Sequence, residues 1–186
     1  WVLERKEQLG IRILNISVGA CSKRGMSENS ALVKGVNRAW DAGLVVVVAA
    51  GNNGPRTMSI TTPGISRKVI TVGCSDDDRE VLVGGNRMVD YSGRGPTAAC
   101  ICKPDLVAPG CSVVSCSSRA DKYTIKSGTS MSTPIVSGAV ALLLERFPDM
   151  SNKDVKLRLR ESSVDIGLPR NQQGWGLLDV GKMLER

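Results

Sequence analysis

The sequence predicts an α/β fold, with a parallel sheet between helices. Leu44–Ala50 is an unbroken apolar run between Gly43 and Gly51. A strand buried on both faces has that pattern, as in a parallel sheet covered by helices. A strand-like segment and a helical segment precede it, so about the first fifty residues make one strand–helix–strand unit. Much later, Gly128-Thr129-Ser130-Met131 opens a helix whose small residues suit close packing on a sheet.

Ile11–Val18 reads as the first strand. Ser30 reads as a helix N-cap, with Ala31, Val33, Val36, Ala39 and Trp40 as the apolar face and Gly43 as the stop. Val69–Val72 reads as a third strand, followed by a polar insertion, residues 75–80, expected as a surface loop. Residues 91–96 and 103–110 are rich in Gly and Pro and read as turns around short extended pieces. Val113–Cys116 and Tyr123–Lys126 read as short strands. The helix from about Ser130 to Arg146 carries Ser137, Gly138, Ala139 and Ala141, with Pro134 in its first turns where a missing N–H costs little. Ser151 with Asp154 forms a capping-box pattern, and residues 174–186 read as a final amphipathic helix.

The chain has 186 residues, 41% hydrophobic and 23% charged, which suits one soluble globular domain. The longest apolar run is too short to cross a bilayer, so no membrane partner is expected. The net charge of +7 is scattered and lacks interleaved aromatics for base stacking. Lys153–Arg160, the densest stretch, reads as a solvated helix face, and no nucleic-acid partner is expected. Six cysteines are read as reduced thiols. Cys100, Cys102, Cys111 and Cys116 fall close together but lack the spacing of structural zinc sites. Reduced thiols favour a cytoplasmic location, with secretion as the alternative. The start at Trp1, without Met or signal peptide, is read as the start of a piece of a longer protein. Most informative is the count of zero histidines, because the chain cannot supply its own imidazole base or ligand.

Ligands of parallel α/β sheets bind at the carboxyl ends of strands. Three segments expected there are small and polar: residues 17–20, 49–52 and 127–130. A serine at a helix start, with an Asn leaving a buried strand, suggests acyl transfer. The serine would attack a carbonyl, and the helix N-terminus and Asn amide would hold the oxyanion.

Five ordered blocks, at residues 13–19, 49–55, 91–96, 103–110 and 128–134, resemble the C-terminal part of a subtilisin-like serine protease catalytic domain. The resemblance runs from about Ile11 to Lys182. It implies a three-layer subtilisin-like fold, with residues 1–186 forming the C-terminal portion of a single catalytic domain and the upstream part, with the triad Asp and His, absent. The acidic insertion and the segment around Cys100 resemble those of intracellular alkaline subtilases. Carried over, Ser130 is the nucleophile and Asn52 the side-chain oxyanion donor, supported by Thr129. Ser17, Val18 and Gly19 would form an edge that pairs with substrate backbone. Ala49, Ala50 and Gly51 would line the pocket for the side chain before the scissile bond, leaving room for a large apolar group, and uncharged Asn53 implies no strong charge preference. Met131, beside the nucleophile, is expected to sensitise activity to oxidation. Family members commonly carry His after the helix-start motif, where this chain has Ile135.

The resemblance implies no cofactor for the chemistry. A structural calcium or sodium could take the carbonyls of Gly64, Ser66 and Val69 with the carboxylate of Asp105. The implied partners are a polypeptide substrate and the missing N-terminal part of the domain. The expected function is a serine endopeptidase, inactive as this isolated piece, because a serine hydroxyl without a base is a poor nucleophile. The alternative is a pseudoprotease that binds peptides in the same groove. A Ser–Lys hydrolase using Lys126 is disfavoured because Lys126 falls on an extended segment, and an α/β-hydrolase elbow is disfavoured by Ser132, where Gly is needed.

Overall fold

The structure, a computed structural model, describes residues 1–20, 28–118 and 122–185. Its centre is a four-stranded parallel sheet in the order β1-β2-β3-β6, formed by Ile13–Ile16, Val45–Ala49, Ile70–Cys74 and Leu106–Ala108. Asn15 pairs with Val47, Val47 with Ile70, and Val72 with Leu106. All of β2, β3 and β6 is buried, as the run at Leu44–Ala50 predicts. The first strand is shorter than expected and half-exposed, because it lies at the sheet edge.

Helices flank this sheet. The helix α1 (Val2–Leu9) precedes β1. The helix α2 (Ala31–Asp41) crosses from β1 to β2, with the Ser30 side chain accepting the Val33 N–H at its start. Val33, Val36, Ala39 and Trp40 are buried, whereas Ala31 is exposed. The long helix α3 (Thr129–Arg146) lies over the sheet. Its inward face is Thr129, Ser132, Thr133, Val136, Ala139, Val140, Leu143 and Leu144. Gly138 and Ala141, expected to ease its packing on the sheet, instead face outward. Pro134 is the sixth residue of α3. It lies beyond the four free N–H groups of a helix start and removes the i+4 donor for the Ser130 carbonyl.

The helix α4 (Asn152–Ser162) begins with the expected reciprocal capping box between Ser151 and Asp154. Its Asn152 amide donates to the Trp40 and Leu44 carbonyls, at 2.7 and 3.1 Å, which pins it to the end of α2. The C-terminal segment differs from expectation. Leu177 makes bridges to Val107 and Val164, and only Val180–Leu184 is helical as α6, after a short α5 (Arg170–Gln173).

Two hairpins sit beside the sheet. In the first, β4 (Val81–Val83) pairs with β5 (Asn86–Met88) around Gly84-Gly85, both at positive φ. In the second, β7 (Val113–Cys116) pairs with β8 (Tyr123–Lys126) as the sequence suggests. The polar insertion before β4 is only partly a surface loop. Asp77 is buried and accepts the Ser92 N–H at 2.7 Å, and Asp76 accepts the N–H groups of Gly110 and Cys111 at 2.7 and 3.1 Å. Unpaired backbone donors are costly to bury, so these carboxylates turn inward.

The basic stretch of α4 is likewise not wholly solvated. Lys156 reaches inward and donates to the carbonyls of Arg67, Lys68 and Val69 at 3.1, 3.0 and 2.9 Å. Its ammonium lies 3.4 Å from one Asp105 oxygen. Buried Lys103 sits 2.5 Å from the other oxygen and 3.0 Å from the Val69 carbonyl. The expected calcium or sodium ligands at Val69 and Asp105 are therefore held by two ammonium groups, and the Gly64 carbonyl is taken by the Thr71 hydroxyl at 2.7 Å. These residues do not fit a metal cation, since a third positive charge would face two already in place.

Candidate active site

The site lies where β1 and β2 end and α3 begins. Gly128, the residue before α3, has φ 138°, a conformation that favours glycine. Its N–H donates to the Gly110 carbonyl at 2.9 Å. This turn leaves Ser130 in the first turn of α3, where backbone N–H groups lack intrahelical partners and the helix dipole favours negative charge.

Asn52 follows β2 across Gly51, whose φ is 94°. Its amide is oriented by Thr129. Asn52 Oδ1 accepts both the Thr129 N–H, at 3.0 Å, and the Thr129 hydroxyl, at 2.9 Å. Thr129 Oγ1 in turn accepts the Gly51 N–H at 3.2 Å. With the amide oxygen committed to these donors, Nδ2 is the end left to project. A side chain at Gly128 would begin 3.3 Å from that nitrogen. Thr129 is fully buried, so the clamp is shielded from competing water.

Ser130 and Asn52 line one cavity of about 210 Å³, and both are half-exposed. The Ser130 hydroxyl donates to the Ser17 carbonyl at 2.8 Å. Ser17, Val18, Gly19, Ala49, Gly51, Asn53 and Thr129 complete its walls together with Thr61. Val18 is 64% exposed, as an edge able to receive a substrate strand would be. Ala50 does not line the cavity. It is fully buried and packs with Val33, Ile60 and Ile65, while its carbonyl accepts the Thr61 N–H and hydroxyl, at 2.9 and 3.3 Å. Met131 is half-buried beside Ser130, and Lys126 is exposed on β8, outside the cavity lining.

Thr61 is the site residue that the sequence reading missed. A side chain at Gly19 would begin 2.3 Å from Thr61 Oγ1, and one at Gly51 would begin 2.4 Å from its Cγ2. Thr61 thus fills the space between two glycine walls and narrows a pocket expected to admit a large side chain. No local pattern marks it. It arrives through the paired backbone bonds of Ala20 and Thr62, at 2.9 and 3.2 Å.

Among the described residues, Cys100, Cys102 and Cys116 are exposed and do not gather with Cys111. Cys21 lies outside the described residues. The arrangement offers a hydroxyl, an oriented amide and a helix start around one small cavity. It offers no imidazole, since the chain has none.

A model of the subtilase family matches residues 2–176. Among curated proteins, the chain is 40% identical over 167 residues to serine protease AprX of Bacillus subtilis (strain 168), spanning 82% of this chain and 38% of that protein. It is 34% identical over 180 residues to subtilisin DY of Bacillus licheniformis, spanning 96% of this chain and 58% of that protein. Among solved structures, sphericase superposes with a TM-score of 0.77 at 29% identity, covering 96% of this chain and 60% of that one. The chain therefore spans less than two thirds of each of these proteins.

Proposed function

The chain belongs to the subtilase family, and from that premise we propose that the full-length protein is a serine endopeptidase with Ser130 as its nucleophile. The observation that carries this reading is the Thr129 clamp, which fixes the Asn52 amide beside a hydroxyl at a helix start. Ser130 Oγ bonds to the substrate carbonyl carbon, and its proton passes to a base. The carbonyl oxygen becomes an oxyanion held by Asn52 Nδ2 and the Ser130 N–H. The C–N bond then breaks, the amine leaves with a proton, and water releases the acyl group from Ser130.

The base must come from outside these 186 residues, because the chain contains no histidine. We assign that role to an upstream part of the catalytic domain carrying the triad His and Asp, and infer that residues 1–186 alone are inactive. Ser130 hydrogen-bonded to a carbonyl, which accepts no proton, agrees with that inference. The substrate is a polypeptide lying along Ser17–Gly19. The five described cysteines are free thiols, which supports a cytoplasmic location over a secreted one. The chemistry uses a hydroxyl, an amide and an imidazole and calls for no cofactor.

A fluorophosphonate reacted with the full-length protein should label Ser130, mapped by mass spectrometry, and Ser130→Ala should abolish labelling. The alternative is a pseudoprotease, in which the rest of the protein also lacks the His or Asp and the groove binds peptides without cleaving them. In that case the unaltered protein would resist the label while still retaining an extended peptide.

A further inference from the structure

We propose that Cys74, Asp76 and Cys111 form a binding site for a thiophilic divalent cation of the zinc class, beside Gly110, whose carbonyl accepts the Gly128 N–H at the start of α3. Among the described residues, these three are grouped so that one ligand atom of each lies within 4.8 Å of the others. Cys74 ends β3, Asp76 is the second residue of the insertion, and Cys111 follows β6 across Pro109 and Gly110. Sγ of Cys74 lies 3.1 Å from Asp76 Oδ1. The hydroxyl of Tyr91 lies 3.2 Å from each of the two sulfurs and so contacts both.

Two thiolates and a carboxylate are a donor set that zinc and its congeners prefer. Bonds of about 2.3 Å to sulfur and 2.0–2.2 Å to oxygen place tetrahedral ligands roughly 3.5–4 Å apart. The 3.1 Å between Cys74 Sγ and Asp76 Oδ1 needs to open by only a few tenths of an ångström. The Asp76 carboxylate is already oriented by the Gly110 and Cys111 N–H groups, the kind of support that fixes a ligand's aim. Tyr91 is fully buried, and its hydroxyl also donates to the Gly110 carbonyl at 3.3 Å, which fixes it against the two sulfurs. Cys111 is half-exposed and provides the entry.

Ser132 supplies an independent observation. Its Oγ is fully buried and without a hydrogen-bond partner among the described residues. A side chain at Gly110 would begin 2.3 Å from that oxygen and 2.8 Å from Cys74 Sγ. The unpartnered hydroxyl therefore borders the same cluster, and a bound ion or water is among the causes of a buried orphan of this kind. Cation binding displaces the two thiol protons to solvent as two metal–sulfur bonds form, and the affinity rises with pH.

The test uses full-length protein in which every cysteine except Cys74 and Cys111 is replaced by serine. Titration with cobalt(II) or cadmium(II) should give a thiolate-to-metal charge-transfer band that saturates at one ion per chain. Cys74→Ser and Cys111→Ser should each abolish it, and Asp76→Asn should weaken binding about 10–100-fold, the usual effect of losing an orienting or weaker ligand. Cys111 is half-exposed, so Cys111→Ser decides the matter if Cys74→Ser fails to fold, with circular dichroism as the check. The proposal is overturned by no band, or by a band that survives Cys111→Ser. The band is read without any hydrolysis, so its failure is separate from a failure of the protease reading.

Discussion

At the scale of single residues, Thr129 matters to the site as much as Ser130 does. An Asn side chain can point either end of its amide at a reacting carbonyl, and only the NH2 end stabilises negative charge. Two donors from Thr129 hold the oxygen end away. Asn52→Ala in the full-length enzyme should lower kcat by about 10²–10³-fold, the loss typical of removing one oxyanion donor, with little change in KM. Steady-state kinetics on a peptide substrate reads both, and a fall in kcat/KM carried by KM alone would contradict the assignment. Thr61 acts on selectivity instead. Thr61→Gly removes the methyl and hydroxyl between Gly19 and Gly51, deepening the cavity. The ratio of kcat/KM for a substrate with Phe before the scissile bond to that for one with Ala should rise about tenfold or more. An unchanged ratio would show that Thr61 does not bound the pocket.

At the scale of elements, legibility in the sequence followed how local the cause was. The strand β2 was readable because four valines in a row have no amphipathic solution and must be buried on both faces. The capping box of α4 was readable because its partners are three residues apart. Ser151→Ala there removes an acceptor and should cost about 1 kcal/mol of stability, read as a lower urea midpoint at unchanged m-value; no shift would mean the helix start is held by Asn152 alone. The β4–β5 hairpin carried a turn signal in Gly84-Gly85, but its strands are too short to show alternation. The inward turn of Asp76 and Asp77 had no local signal. It arises from donors that arrive from the turn after β6 and from Ser92 beside Tyr91. The same holds for the candidate site: Ser130 and Asn52 announce themselves at a helix start and a strand end, whereas Thr61 enters through a distant backbone pairing.

At the scale of the whole molecule, Asp105 is where separate parts of the chain meet. Its carboxylate accepts the Thr71 N–H from β3 at 2.7 Å and faces Lys103 and Lys156, while its carbonyl accepts the Trp175 N–H at 2.7 Å. Lys156 also lies over the rings of Trp40 and Trp175, at 5.7 and 5.9 Å. One residue thus joins the sheet, α4 and the C-terminal segment, and two ammonium groups share its carboxylate. Burial is the larger influence on Lys103. It lowers the pKa from 10.5 to about 8, against the opposing pull of Asp105 and with help from the Lys156 charge. Between those two values the unfolded chain keeps a proton that the folded chain has released. Stability from this group therefore rises with pH across the window. It is fully present above about 10.5 and lost as the pH falls through about 8. Lys103→Met removes the titration and keeps most of the side-chain volume. Urea unfolding of the full-length protein and this variant at several pH values from 7 to 11 should show the variant at its best relative to wild type near neutrality. That advantage should shrink steadily above pH 8, and a difference that stays constant over the range would mean that Lys103 holds its proton as firmly folded as unfolded.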